Sequence, residues 1–249
     1  MLIVLSPAKT LDSAPAFPAR MKLSKPQFQN EANVLARQLA AMSEKQLGKL
    51  MDISPKLAAL NVARYAAFAP GEYPAAWMFR GDVYDGLDID TLPAKTLPAL
   101  EKRLRILSGL YGVLRPGDAM HPYRLEMGTA LKTAKGKNLY AWWGERIAGA
   151  LNDAAKEAKA DVLLNLASIE YSDGIDRKAL KPQWVDVSFK EKKGAKLQIV
   201  SFFAKKARGT MARWVIESGA QLKDLPKFKE DGYRYARDLS DDAHAVFIR

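Results

Sequence analysis

Apolar and polar positions along this 249-residue chain follow two alternating periods. Leu2 to Leu5, "LIVL", is an unbroken apolar run ending in the turn-like "SPAK", which predicts a short buried strand. From about Phe28 to Phe68 the apolar residues recur at spacings of three and four. They are Val34, Leu35, Leu39, Met42, Leu47, Leu50 and Met51, then Leu57, Leu60, Ala63 and Ala67, a helical period. "AWMFRG" reads as a strand and turn. "PALEKRLRIL" begins as a helix and runs into the apolar "ILSGLYGVL". "AWWGERIAGALNDAAKEAKA" predicts one amphipathic helix, and "DVLLNLAS" a buried strand behind it.

"QWVDVSFKE" and "KLQIVSFFA" flank "KKGA", which predicts a hairpin with a Gly-containing turn. "KKARGTMARWVIESG" then returns as a helix ending near Gly219. Strands and helices interleave while the hairpin is antiparallel. The expected fold is therefore mixed α/β (α+β): a mixed sheet with packed helices. No linker rich in Gly, Ser or Pro divides residues 1–249, so one domain is expected.

Composition changes this picture through charge. Thirty-nine Lys and Arg against 28 Asp and Glu give +11. Of that excess +9 lies between Arg177 and Arg213, where 11 cations meet only Asp186 and Glu191. A regional excess points to an anionic partner such as nucleic acid, an anionic membrane surface or a phosphorylated small molecule. Cysteine is absent, which excludes disulfides and thiolate metal sites. The apolar N-terminus lacks a basic flank and reads as a strand, not a signal peptide, and no run is long enough to span a bilayer. A cytoplasmic protein is expected.

Three stretches carry candidate chemistry. In Leu47 to Phe68 a helix ends at Met51, and Ser54-Pro55 starts another: Ser caps free N–H groups and Pro has none to lose. Two short helices around a tight turn have the form of a helix-hairpin-helix, within 43–68. The N-terminus of its second helix, with Ser54 and Lys56, suits a phosphate. The plainer reading is an ordinary helical hairpin. In Leu107 to Gly128, Gly109 and Gly112 suit close packing, while Arg115 and Arg124 follow, with Glu126 beside Arg124. The loop "LSPAKT" after the first strand carries Ser6, Lys9 and Thr10, a phosphate-binding position in α/β sheets, without the glycines of a P-loop. His121 and His244 are far apart and form no metal-ligand spacing, so neither metal nor cofactor is expected. Glu170, Tyr171 and Asp173 read as caps or surface groups more readily than as an acid–base site.

Taken in order, "SPAKT", "RGDVYDGL", "LSGLYGVLRP", "PYRLEMG", "NLYAWW", "NLAS" and "SFFAKKARGTM" resemble the YaaA family of bacterial peroxide-stress-resistance proteins, from Met1 nearly to the C-terminus. The resemblance implies a protein protective under hydrogen peroxide and associated with limiting iron-linked damage and with DNA repair. It implies binding of duplex, bubble-containing and junction DNA through a helix-hairpin-helix and a basic cleft. The hairpin carries over to Asp52–Lys56, with Asp52 and Ser54 where two glycines are expected; Asp52 would repel a phosphate. The cleft is assigned by charge and motif position to Lys9, Arg80, Arg124, Lys205, Lys206 and Arg208. Arg80 and Trp142 stand where Lys and Phe are expected.

If "AKKARGTMAR" begins a helix, Lys205, Arg208 and Arg213 share one face and Lys206 adjoins it. Lys205 and Lys206 then lie at its N-terminal end, where cations are explained by an anionic ligand better than by stability. Two functions follow. In one, a non-enzymatic protein grips DNA phosphates with little base readout. In the other, the same cleft is the active site of an enzyme on a phosphorylated or nucleotide-like substrate, with Lys9, Arg124, Glu126 and Glu170 converging.

Overall fold

The computed structural model describes residues 1–194 and 196–249. Among the described residues the principal sheet has eight strands. In chain order they are β1 (Leu2–Leu5), β2 (Leu104–Ser108), β3 (Gly112–Leu114), β4 (Val162–Leu166), β5 (Gln183–Lys193), β6 (Lys196–Gln198), β7 (Arg234–Tyr235) and β8 (His244–Ile248). Their spatial order is β7-β8-β5-β4-β1-β2-β3, with β6 paired to β5. The five inner strands, β2, β1, β4, β5 and β8, run parallel, and β3, β6 and β7 add antiparallel partners at the margins. This is a single α/β domain with a mixed sheet.

The main helices are α1 (Gln29–Ala40), α2 (Glu44–Met51), α3 (Pro55–Ala66), α4 (Asp82–Leu87), α5 (Leu97–Arg103), α6 (Arg146–Ala158) and α7 (Ser201–Ser218). Of these, α5, α6 and α7 pack against β1. Every residue of β1 and β4 is buried, as strands covered on both faces require. β1 is therefore a continuous apolar run, and β4 is one broken only by Asn165, whose side chain donates to Asp186 and accepts from the Ala167 N–H. Within the one hydrophobic core an aromatic cluster, Phe189, Phe228, Tyr233 and Phe247, packs ring against ring around β5 and β8.

Three local expectations are corrected. The apolar "SFFA" is not the end of a strand. β6 stops at Gln198 and α7 begins at Ser201, leaving Phe202 and Phe203 exposed. Ala204, Ala207, Gly209 and Ala212 behind it form a small-residue face that packs as a helix. "AWWGERIAGALN" is two helices, because Gly144 at φ +49° breaks the path between Leu139–Trp143 and α6. "AWM" belongs to a helical turn, Ala75–Met78, and only Phe79–Arg80 is extended. The helical pattern of Phe28–Phe68 forms α1, α2 and α3, with the expected break between Met51 and Pro55. The β5–β6 hairpin forms, with Lys193 opposite Lys196; Ala195 of its expected turn lies outside the described residues.

The α2–α3 junction is built as its sequence suggests. Ser43 and Gln46 form a reciprocal capping box at the start of α2, and Ser54 Oγ accepts from Leu57 N–H at the start of α3. Between them Asp52 lies at φ 50°, ψ 57°. That left-handed conformation is the one a glycine adopts most cheaply, and Asp is among the few other residues that tolerate it.

Candidate functional site

The chain runs from β1 to β2 on one side and later returns to β4 on the other, so the strand order reverses at β1. In open α/β sheets ligands bind in the crevice beyond the carboxyl ends of strands at such a point. Here the loops leaving β1 and β4 meet. Leu5 is in register with Leu166. The next residue of the first loop, Ser6, therefore faces the second: its Oγ accepts from the Ser168 N–H at 2.8 Å and donates to Ser168 Oγ at 3.3 Å. Tyr84 OH donates to the Ser6 carbonyl at 3.1 Å.

Above these loops is a cleft of about 480 Å³. Five cations line it, Lys9, Arg80, Arg124, Lys205 and Arg208, with three carboxylates, Asp82, Glu126 and Glu170. Thr10 also lines it, and Tyr123 and Tyr171 supply apolar wall. The cations come from four separate segments, and their convergence depends on one helix crossing. A Cβ on Gly86 of α4 would lie 2.0 Å from the Lys206 carbonyl, and one on Gly209 of α7 would lie 1.7 Å from the Val83 carbonyl. Only paired glycines permit this approach. It presses the Arg80–Val83 segment against Lys205 and Arg208, which explains glycines in both "RGDVYDGL" and "AKKARGTM".

The pairing of the charges is uneven. Glu126 is shared: one oxygen is 3.0 Å from Arg124 Nη2 and the other 3.1 Å from Lys9 Nζ. Lys205 is 3.7 Å from Asp82. Arg80 turns toward Asp12 and Asp90, at 3.3 and 3.0 Å. Glu170 accepts from the Gly128 N–H at 2.9 Å. Among the described residues Arg208 has no carboxylate within ion-pair distance, and its buried Nε has no hydrogen-bond partner. Arg124 Nε is likewise buried and unpartnered. Burial alone lowers the Arg208 pKa, and no counter-charge opposes it. A desolvated guanidinium without an anion is costly, so an arginine left this way is poised for an anionic ligand.

Lys9, Thr10, Arg80, Arg124, Lys205 and Arg208 are thus brought together. Lys206 is exposed on α7 but does not line the cleft. Arg213 does not line the cleft: it bonds the Asp88 and Thr91 carbonyls and pairs with Asp88 and Glu217, so it fastens α7 to the turn after α4. Because α7 begins at Ser201, Lys205 and Lys206 lie in its second turn, where the helix-dipole argument no longer applies. Ser54 caps α3, and Lys56 is exposed beside it. Neither lines the cleft, although Tyr65 OH at the far end of α3 donates to the Arg124 carbonyl at 2.6 Å. Sequence reasoning missed Ser168 and Asp82. Ser168 follows a buried strand as Ser6 does, and that parallel was a usable signal.

A larger groove of about 880 Å³ runs beside α1 and the end of α3. Among the described residues its charged lining is Lys25 and Arg37 alone, so it lacks the convergent groups of the cleft.

Fold and site together define an α/β protein with a cation-lined cleft at the strand switch point. A family model described as peroxide stress protein YaaA matches residues 1–239. UPF0246 proteins from three strains of Cereibacter sphaeroides, ATCC 17023, ATCC 17029 and KD131, are each 47% identical over 255 residues. The match covers 100% of this chain and 99% of each relative. The chain belongs to the YaaA family of peroxide stress proteins.

Proposed function

We propose that this peroxide stress protein binds DNA by its phosphates, with little sequence readout. The observation that carries the reading is the convergence of Lys9, Arg80, Arg124, Lys205 and Arg208 on one cleft, with Arg208 lacking a counter-ion. Phosphate contacts of this kind fix position on a nucleic acid and carry no base identity. The α2–α3 hairpin is a second contact. The start of α3 presents the Lys56 N–H and its exposed side chain, Pro55 having no N–H and Leu57 N–H being held by Ser54, and Tyr65 ties the same helix to the cleft wall. In this reading the protein holds damaged or distorted DNA during peroxide stress.

The test is fluorescence anisotropy of a labelled duplex and a junction across 50–300 mM salt, a range over which each phosphate neutralised contributes a slope of about 0.9 log units. The wild type is compared with Lys9→Ala/Lys205→Ala/Arg208→Ala. Binding with a steep slope, flattened by about two to three phosphates in the variant, supports the reading. A wild type that binds neither DNA at 50 mM salt sinks it.

A further inference from the structure

The size of the cleft restricts what part of a nucleic acid enters it. A double helix, whose major groove alone is about 12 Å wide, does not fit a cavity of about 480 Å³. A single nucleotide does, since pockets of this order hold ligands of that size. The floor is closed by the loops that leave β1 and β4, hydrogen-bonded to each other through Ser6 and Ser168. A backbone continuing in both directions would have to enter and leave by the same mouth. A terminal nucleotide has no such difficulty.

Charge narrows the choice further. The five lining cations face three lining carboxylates, and Arg80 is held by Asp12 and Asp90 from outside the lining, so the unmatched charge rests on Arg208 and on the Lys9–Arg124 pair. Glu126 divides its single charge between Lys9 and Arg124, and Arg208 has no acidic partner among the described residues. An internal phosphodiester carries one negative charge. A terminal phosphomonoester carries about −1.5 to −2 at neutral pH and three free acceptor oxygens. The guanidinium forks of Arg124 and Arg208 suit those oxygens, and each has a buried Nε with no partner.

We propose that the cleft is a one-nucleotide site for a phosphomonoester, carried by a DNA end or by a free mononucleotide. The inference rests on the phosphate-binding reading of the cleft and goes beyond it, because backbone binding along a duplex needs no terminal phosphate.

The probes are one labelled 12-nucleotide strand with a 5′-phosphate, a 3′-phosphate or hydroxyls at both ends, used single-stranded and as a duplex, with dAMP and deoxyadenosine as competitors. They are measured on the full chain at fixed salt. About tenfold tighter binding of a phosphorylated end, abolished by Arg208→Ala and weakened by Lys9→Ala on its exposed loop, supports the proposal with a DNA end as source. Competition by dAMP but not deoxyadenosine, without an end preference among the strands, supports it with the free nucleotide as source. Binding of all strands alike, unaffected by dAMP, overturns it and leaves the DNA reading intact. Failure of every strand to bind, with dAMP still held in an Arg208-dependent way, keeps this site and overturns the DNA reading. An end preference that persists in both variants places the phosphate elsewhere and overturns the proposal.

Discussion

Glu101 shows how far one residue can be displaced from its solution chemistry. It sits on α5 with its Oε1 buried and unpartnered among the described residues. Burial and the neighbouring Asp118 carboxylate raise its pKa from 4.5 to about 7, and the Gly117 amide, Arg105 and Arg115 offset only part of this. The folded protein therefore keeps a proton that the unfolded chain gives up above about pH 4.5. The associated stability is fully present below that pH and is lost as pH rises toward 7, by at most about 3 kcal/mol. Glu101→Gln removes the titration. Urea melts from pH 4.5 to 8 should show the variant gaining on the wild type as pH rises, and parallel curves would mean that Glu101 ionises normally. Such residues resist reading from sequence: "ALEKRLR" marks Glu101 as one more helix-surface acid. Arg208 was legible as a cation of a basic stretch. Its isolation was not, since that depends on which carboxylates the fold brings near.

At the scale of elements, periodicity identified β1, β4, β5 and most helices, because their burial follows directly from one repeat. It misplaced the start of α7 because an exposed apolar run looks the same as a buried strand until its neighbours are known. The α4–α7 crossing was equally hidden: Gly86 and Gly209 lie over 120 residues apart, and each alone is a weak helix position. Their contact makes a clear prediction. Gly209→Ala puts a methyl 1.7 Å from the Val83 carbonyl and Gly86→Ala puts one 2.0 Å from the Lys206 carbonyl, so the helices must separate. Each should cost about 3 kcal/mol or more, the range of overpacking and backbone shifts in a closed contact. A thermal melt of each variant checks this. A loss below about 1 kcal/mol would mean that the crossing relaxes and that the cleft wall is less rigid than the glycine pair implies.

The whole molecule adds a field to the contacts. The β5–β6 hairpin carries Lys192, Lys193 and Lys196, all exposed and none lining the cleft. Together with the net charge of +11 they should attract a polyanion from a distance without touching it in the final complex. Changing the three to Gln should slow association with DNA several-fold at 50 mM salt and leave dissociation nearly unchanged, as stopped-flow mixing would show. A change confined to dissociation would place the hairpin in direct contact instead. The regional charge excess was visible in the sequence, but its division was not, because the one span between Arg177 and Arg213 supplies both the outlying hairpin and two of the five cleft cations, Lys205 and Arg208.

The central place of β1 has a further consequence, for synthesis. This strand is synthesised well before its neighbours: its partner residues on β2 are about 100 positions later and those on β4 about 160. At some 5–20 residues per second, the apolar "LIVL" waits roughly 8–30 s before both neighbours exist. For that interval the future centre of the sheet is an unpaired, aggregation-prone edge. Cells making this protein in quantity would hold a standing population of such nascent chains, so its yield should depend on chaperone capacity more steeply than its finished stability suggests.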